Sequence, residues 1–157
     1  MFKIRMPLQT FVILAIAIVA LAATQKPNIE NKAVILFESN KVAAAFAKGM
    51  PLIETNNFKV HTSRRDAPGI PEIHTRDTDI FYFLEGSAVF VTGGKATETK
   101  TVAPNELRGQ KIDGGEARQI GKGDIIIIPN GVPHWFKEVH GPLLYYVVKV
   151  TSPDESK

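Results

Sequence analysis

The sequence of 157 residues contains no cysteine, which excludes disulfide bonds, a cysteine nucleophile and a lipid-modified cysteine near the N-terminus. It also lacks a G-x-S-x-G nucleophile elbow and a glycine-rich phosphate-binding loop. No run of lysine or arginine is long enough to follow a phosphate backbone, and the net charge of +3 includes Lys3 and Arg5. The rest of the chain is close to neutral, so we expect no nucleic-acid partner.

The N-terminal apolar run is too short to span a membrane. It extends from Phe11 to Ala23, which is 13 residues, whereas a transmembrane helix needs roughly 20. Basic residues precede this run, and Ala20-Leu21-Ala22 matches the small-residue pattern of a signal-peptidase site. We therefore predict a signal peptide over residues 1–22, a periplasmic or secreted protein, and no stable membrane association after cleavage. An uncleaved N-terminal membrane anchor is the alternative.

The rest of the chain predicts one short helix followed by β-structure. Residues 24–52 comprise a polar lead-in and a helix from Ser39 to Gly49, which Ser39 should cap and Gly49 should end. Over residues 53–152, short runs of Val, Ile, Phe and Tyr alternate with turn residues, which is typical of a barrel or sandwich. The predicted strands lie near 58–63, 71–75, 79–85, 87–92, 116–120, 124–128, 133–139 and 143–150. Residues 95–112 are expected to form a loop near the barrel mouth.

The most distinctive segment is GDIIIIPNGVPH, from Gly123 to His134. A turn leads into four isoleucines, which should form a strand buried on both faces, and Pro129 and Gly131 then reverse the chain. This segment resembles the second motif of the cupin family, G(x)5PxG(x)2H(x)3N. Glu138 stands in place of the closing Asn.

The segment from Glu72 to Gly86 resembles the first cupin motif, G(x)5HxH(x)3,4E(x)6G, in one of two registers. If His74 and Arg76 filled the paired histidine positions, the carboxylate position would fall on an apolar residue that cannot bind a metal. If Glu72 and His74 fill them, the carboxylate position falls on Asp79 and the closing glycine on Gly86. We prefer the second register, in which Glu72 replaces a family histidine and Asp79 a family glutamate.

The resemblance implies an all-β fold, a cupin-type antiparallel β-barrel of jelly-roll form preceded by one short N-terminal helix. It also implies a divalent metal in the barrel, iron, manganese, zinc or nickel, held by Glu72, His74, Asp79 and His134. Residues i and i+2 of a strand share a face, so Glu72 and His74 can both point inward. Two imidazoles with carboxylates suit these ions by ligand type, and a dication would relieve the repulsion between two buried carboxylates.

The ligand of such a site would be a small oxygen-bearing molecule. We expect Arg76, Arg108 and Tyr82 to contact it, and a guanidinium can bind a carboxylate bidentately. The family implies oxygenase, isomerase or lyase chemistry without selecting one, and the alternative is a non-catalytic small-molecule or sugar-binding module, with or without metal. The exposed edges of the apolar strands predict a homodimer.

Overall fold

The computed structural model describes residues 34–153, which form one helix and eleven strands. The helix α1 spans Ser39–Lys48, and the strands are β1 (Pro51–Glu54), β2 (Phe58–Arg65), β3 (Glu72–His74), β4 (Asp77–Thr92), β5 (Lys95–Ala96), β6 (Lys100–Ala103), β7 (Glu106–Arg108), β8 (Ile112–Asp113), β9 (Glu116–Gly121), β10 (Ile125–Ile128) and β11 (His134–Thr151). The predicted signal peptide lies outside the described residues. Within residues 34–153, no helix has the length and hydrophobicity needed to cross a membrane.

The helix α1 lies where the sequence predicts it, but its first turn is capped differently. Gly49 ends the helix in the left-handed conformation, with φ 61°, and its N–H donates to the Phe46 carbonyl at 3.2 Å. The N-cap position belongs to Glu38, whose side chain makes no capping hydrogen bond, so Ser39 is the first helical residue and not the cap. The ring of Phe46 meets the ring of Tyr146 edge-on, with centroids 4.8 Å apart, and so attaches α1 to β11.

The barrel is built on an antiparallel ribbon formed by β4 and β11. These strands have 16 and 18 residues and pair along almost their whole length. The second half of β11 also pairs with β2, which carries β1, while its start pairs with β3, which leads to β7 and β6. Likewise, the first half of β4 pairs with β10 and its second half with β9. The ribbon therefore takes part in both halves of a curled antiparallel sheet, as in a jelly-roll barrel.

The strands of the ribbon continue through a glycine at which the sequence predicts a strand end. Gly86 lies in the middle of β4 with φ 78°, and a Cβ there would lie 2.5 Å from the Pro142 carbonyl oxygen. Only glycine tolerates this combination of backbone angle and close approach. The pairing register of β11 shifts at the same level. The four strands predicted over 79–92 and 133–150 are therefore two long strands.

Residues 95–112 are part of the sheet structure and not a loop. They contain β5 to β8, and β7 pairs with β3 so that Arg108 lies opposite Glu72 and Glu106 opposite His74. Each of these strands has only two to four residues, which is too short for a clear alternation of apolar and polar residues. The segment therefore adds charged side chains to the barrel wall beside the predicted metal site.

The isoleucine strand β10 is buried on one face, whereas the sequence analysis predicts burial on both. Ile126 and Ile128 contribute to the core, but Ile125 and Ile127 are 65% and 61% exposed. The reason is topological. Within the described part of the chain β10 pairs only with β4, so it is an edge strand whose outer face is uncovered.

Aromatic rings fill the interior of the barrel. The buried core consists of Phe81, Phe83, Ala88, Phe90, Ile120, Ile128, Phe136, Leu143, Tyr145 and Val147. The rings of Phe90 and Phe136, one from each strand of the ribbon, have centroids 4.4 Å apart. Alternation along β4 continues this inner face to Asp79, two residues before Phe81, so a carboxylate borders the aromatic core.

Replacement of Phe83 by alanine tests the assignment of faces along β4. Phe83 is completely buried, and Phe83→Ala should lower the free energy of unfolding by about 3–5 kcal/mol because it leaves a cavity. The matched control Tyr82→Ala, on the exposed face, should cost less than about 1 kcal/mol. Urea unfolding followed by circular dichroism measures both values. Equal losses in the two variants would contradict the assignment.

Candidate metal centre

The turn before β11 joins the two motif segments. The Gly131 N–H donates to the His74 carbonyl at 2.8 Å, and the Asn130 side-chain amide donates to the Thr75 carbonyl at 3.2 Å. β11 then begins with His134, which is paired with Glu72 of β3. The turn therefore fixes His134 beside His74, although the two residues are distant in the sequence.

Glu72, His74 and His134 direct possible ligand atoms to one point. One such atom from each residue lies within 4.8 Å of the other two. Glu72 Oε2 is 3.5 Å from His74 Nε2 and 4.0 Å from His134 Nε2, and the imidazole centroids are 5.3 Å apart. Ligand atoms bonded to one tetrahedral zinc ion are separated by about 3.4 Å. The three side chains thus form a group that could hold a metal ion.

Asp79 of β4 lies beside both histidines and is only 1% exposed. Its Oδ2 is 3.6 Å from His74 Nε2 and 3.7 Å from His134 Nε2, and it also accepts a hydrogen bond from Lys149 Nζ at 2.6 Å. The carboxylate is therefore shared between the histidines and a partly buried lysine. Lys149 is not among the site residues predicted from the sequence, although the alternation of β11 places it on the same face as the core residue Val147.

The cluster contains buried polar atoms that other described residues do not satisfy. His74 Nε2, His134 Nε2 and Asp79 Oδ1 have no hydrogen-bond partner within residues 34–153. An unsatisfied buried polar group costs about 1–3 kcal/mol. The two imidazole nitrogens, both close to Asp79 Oδ2 and Glu72 Oε2, fit a bound cation, because lone-pair donors are the atoms that a cation requires.

The protonation of His134 also suits metal binding. His134 Nδ1 lies 3.2 Å from the Val132 carbonyl, and a carbonyl can only accept, so Nδ1 carries the proton and Nε2 has the free lone pair. Burial lowers the pKa of His134, although the charges of Asp79 and Glu72 oppose this effect. The neutral imidazole is the form that binds metals. Two imidazoles with carboxylates fit iron, manganese, nickel or zinc by ligand type.

Glu72 lies between the histidines and Arg108 of β7. Burial opposes its ionisation, but the favourable interaction with the nearby His74 imidazole and the charge of Arg108 prevail and lower the pKa of Glu72 to about 2. Arg108 forms ion pairs with Glu72 and Glu106. The Oε1 atom of Glu72 faces Arg108, whereas Oε2 faces the histidines. The Glu72 carboxylate thus faces the histidines with one oxygen atom and pairs with Arg108 of β7 through the other.

A cavity of about 260 Å³ adjoins this cluster. Its charged lining residues are Arg65, Glu72, Asp79, Glu106, Arg108 and Lys149, and its nonpolar and aromatic lining residues are Phe81, Phe136, Tyr145 and Val147. Drug-sized ligands occupy cavities of about 300–1,000 Å³. The volume of this cavity therefore suits a small molecule.

Of the three residues expected to contact the ligand, only Arg108 lines this cavity. Tyr82 is 43% exposed on the outer face of β4, because the buried residues Phe81 and Phe83 occupy the inner face on either side of it. Alternation along the strand, applied strictly, excludes Tyr82 from the interior. The expectation for Tyr82 is therefore corrected.

Arg76 also lies outside the cavity wall. Its Nη2 donates to the Ser152 carbonyl, and its own carbonyl accepts from the Ser152 N–H at 2.8 Å, so it fastens the end of β11 to the bend after β3. This is a structural contact, and it corrects the expectation that Arg76 binds the ligand. Glu72, and not Arg76, faces the histidines, which is the arrangement of the preferred register.

The chain belongs to the cupin family, because the family model described as Cupin matches residues 58–157. No curated protein matches the chain. Among solved structures, BH2720 from Bacillus halodurans is 14% identical with a TM-score of 0.54, covering 81% of this chain and 87% of that one. An uncharacterized conserved protein with a double-stranded β-helix domain from Klebsiella pneumoniae is 17% identical with a TM-score of 0.50, covering 76% and 92%.

A plant protein shows a more partial likeness. Peruvianin-I, a cysteine peptidase from the latex of Thevetia peruviana, is 15% identical with a TM-score of 0.42, covering 60% of this chain. The chain spans about half of that protein, 51% of its length. The present sequence has no cysteine. These likenesses describe the fold, and the chemistry has to be argued from the site.

The buried pair of Asp79 and Lys149 predicts coupled effects on stability. Lys149→Met leaves the Asp79 carboxylate buried without its ammonium partner and should lower the free energy of unfolding of the metal-free protein by about 3 kcal/mol. Asp79→Asn in the same chain should recover much of this loss, because no charge then remains unpaired. Urea titrations of the wild type, both single variants and the double variant measure the coupling. Purely additive effects would contradict the pairing.

Proposed function

We propose that this cupin holds a divalent metal with Glu72, His74, Asp79 and His134 and acts with it on a small oxygen-bearing molecule. The observation that carries the proposal is the convergence of ligand atoms from Glu72, His74 and His134 within 4.8 Å, in which the buried His74 Nε2 and His134 Nε2 have no hydrogen-bond partner among the described residues. The adjoining cavity gives a ligand access to this point, since Glu72, His74 and Asp79 all line it.

The residues around the site define the chemistry available to it. A divalent ion would supply Lewis-acid or oxygen chemistry to a bound substrate. Phe81 and Phe136 form the apolar part of the cavity wall. Burial raises the pKa of Tyr145, so its phenol stays protonated and can donate a hydrogen bond to a ligand in the cavity. The proposed reaction class is oxygenation, isomerisation or lyase chemistry.

A binding module without turnover is the second candidate, and one observation favours it. Lys149 already pairs with Asp79, and Arg108 with Glu72, so both carboxylates of the site have cationic partners within the protein. Such a module could take up a small molecule or sugar with or without metal. Screens for oxygen uptake and isomerisation with the metal-loaded protein distinguish the enzyme from the binding module.

Metal analysis of protein purified without added metal tests the proposal. Wild-type protein should carry about one divalent ion per chain, and His74→Ala and His134→Ala should each reduce the content to near zero because each removes a ligand. His140→Ala is the matched control, because the His140 side chain is 54% exposed and does not line the cavity. Inductively coupled plasma mass spectrometry gives the ion and its stoichiometry.

Two results would contradict the metal centre. One is wild-type protein that neither contains a divalent ion nor takes one up on addition. The other is a metal content that falls equally in His140→Ala and His134→Ala. Circular dichroism of each variant shows that a loss of metal is not a loss of fold, and the aromatic core predicts that the fold survives.

We also propose that the protein acts in the periplasm or outside the cell. The proposal rests on the sequence alone: basic residues at the N-terminus, the apolar run from Phe11 to Ala23, and Ala20-Leu21-Ala22 as a cleavage site. All of these residues lie outside the described part of the chain. An uncleaved N-terminal anchor is the alternative location.

The expected homodimer stays a proposal, and the outer face of β10 is the surface that supports it. Ile125 and Ile127 are 65% and 61% exposed, and Tyr82, paired with Ile125 in the sheet, is 43% exposed. An exposed apolar edge strand invites pairing with another chain unless it is covered. A second copy of the chain would cover this face and bury the apolar side chains.

Charged substitutions on this face test the dimer. Ile125→Glu combined with Ile127→Glu should give a monomer by light scattering, because two carboxylates would be buried at the interface. Val102→Glu is the control, since Val102 is 56% exposed on another strand, β6. Wild-type protein that is already monomeric at micromolar concentration would contradict the proposal.

A further inference from the structure

Arg65 is the cation of the cavity wall whose donors the protein uses least. Its Nε is buried without a hydrogen-bond partner among the described residues, and its Nη2 lies 3.7 Å from Glu72 Oε1, beyond hydrogen-bond distance. The other two cations are satisfied. Arg108 pairs with two carboxylates, and Lys149 donates to a carboxylate at 2.6 Å. Arg65 also interacts with the Tyr145 hydroxyl, but its Nε leaves it with donor capacity for a ligand.

The surroundings of Arg65 hold its guanidinium in place. The Arg65 Cζ lies 4.8 Å from the centroid of the Phe136 ring, which is a cation–π contact. Gly69 approaches the same group so closely that a Cβ there would lie 2.7 Å from Arg65 Nη1. A planar cation fixed in this way loses little conformational freedom when it binds a carboxylate.

The charges of the cavity favour an anionic ligand once a metal is bound. Arg65, Arg108 and Lys149 face Glu72, Asp79 and Glu106, so the formal charges of the lining balance. A divalent ion adds two positive charges that the protein does not compensate. Charge in a partly buried site requires compensation, so a ligand carrying one or two negative charges is favoured over a neutral alcohol or sugar.

The position of Arg65 relative to the histidines limits the kind of anion. Glu72 separates them, with Oε1 towards Arg65 and Oε2 towards His74 and His134. A ligand lying alongside Glu72 can place one oxygen at the metal position and another at the guanidinium. The cavity of about 260 Å³ is smaller than the cavities of about 300–1,000 Å³ that drug-sized ligands occupy. A short acid with two oxygen functions satisfies both limits.

We propose that the ligand of this centre is a small carboxylate with a second oxygen function, such as a hydroxy, keto or dicarboxylic acid, and that Arg65 selects it. The inference rests on the proposed function, because it names the ligand class of the same centre. Arg65 acts as a specificity-determining residue that binds the carboxylate. The side chain is distinct from the four proposed metal ligands, so its removal should leave the metal in place.

Calorimetric titration of malonate into the metal-loaded protein tests this role. A hydrogen bond to a charged group contributes about 1.5–3 kcal/mol, so Arg65→Gln should weaken malonate binding by about 10- to 100-fold. Arg64→Gln is the matched control, with the same change in net charge. Arg64 is exposed, and its Nη2 pairs with Asp66 Oδ1 at 2.9 Å. The affinity of the Arg64→Gln variant for malonate should equal that of the wild type.

A second variant and an uncharged ligand are the further controls for the effect of Arg65→Gln on malonate binding. Arg65→Lys keeps the positive charge but loses the planar fork, so it should also weaken malonate binding, and it serves if Arg65→Gln is unfolded by circular dichroism. Malonamide, which has the same shape as malonate but no charge, should bind wild-type protein at least about tenfold more weakly. Metal content is measured on every sample used for titration.

Several outcomes would overturn the inference. These are equal malonate affinity in wild type and Arg65→Gln, no malonate binding by wild type, equal binding of malonamide, or loss of the metal together with malonate in Arg65→Gln. Wild-type protein without metal contradicts the proposed function instead. In that case the comparison of Arg65→Gln with Arg64→Gln is made in the metal-free protein, and equal malonate affinities there overturn the inference as well.

Discussion

A carboxylate inside a barrel of phenylalanine rings is stable only if its charge is compensated. Glu72 and Asp79 impose this constraint, and the polar features around them follow from it. Arg108 compensates Glu72 from β7, and Lys149 compensates Asp79 from β11. The two imidazoles stand between the carboxylates with unsatisfied nitrogen atoms. A divalent ion would satisfy both nitrogen atoms and attract both carboxylates at the same time.

The fold delivers these groups by extending the alternation that builds the core. On β4, Asp79 precedes Phe81 by two residues, and on β11, His134 precedes Phe136 by two residues. The same inward face therefore changes from aromatic to polar at the end of the barrel. The Gly131 hydrogen bond to the His74 carbonyl then holds the start of β11 against β3. The closely packed aromatic residues next to the cluster hold its side chains in place.

The sequence predicted the parts of the site that have regular spacing. The barrel follows from short alternating strands, and the choice of Glu72 with His74 follows from the positions of Asp79 and Gly86 relative to them. The structure brings these ligand candidates together with His134. Spacing succeeds here because Glu72, His74 and Asp79 lie on consecutive strands, β3 and β4, that only two residues separate.

Other features have no local signature. Arg65 and Lys149 come from β2 and β11, and their place in the cavity depends on which strands become neighbours. The outer face of β10 is exposed because β10 is an edge strand, which the isoleucine run alone does not reveal. Tyr82 was an avoidable error, since its neighbours Phe81 and Phe83 already fix the direction of its side chain. Strand pairing over long sequence distances thus determines the cavity wall, while local patterns determine the strands.

X-ray absorption spectroscopy at the edge of the bound metal tests the central claim most directly. The protein should be purified without added metal and measured in the ligand-free state. The account predicts two imidazole ligands, visible by their multiple scattering, together with carboxylate oxygen atoms, at about 2.0–2.2 Å from the ion. A shell of oxygen atoms without imidazole scattering, or no bound metal at all, would contradict it.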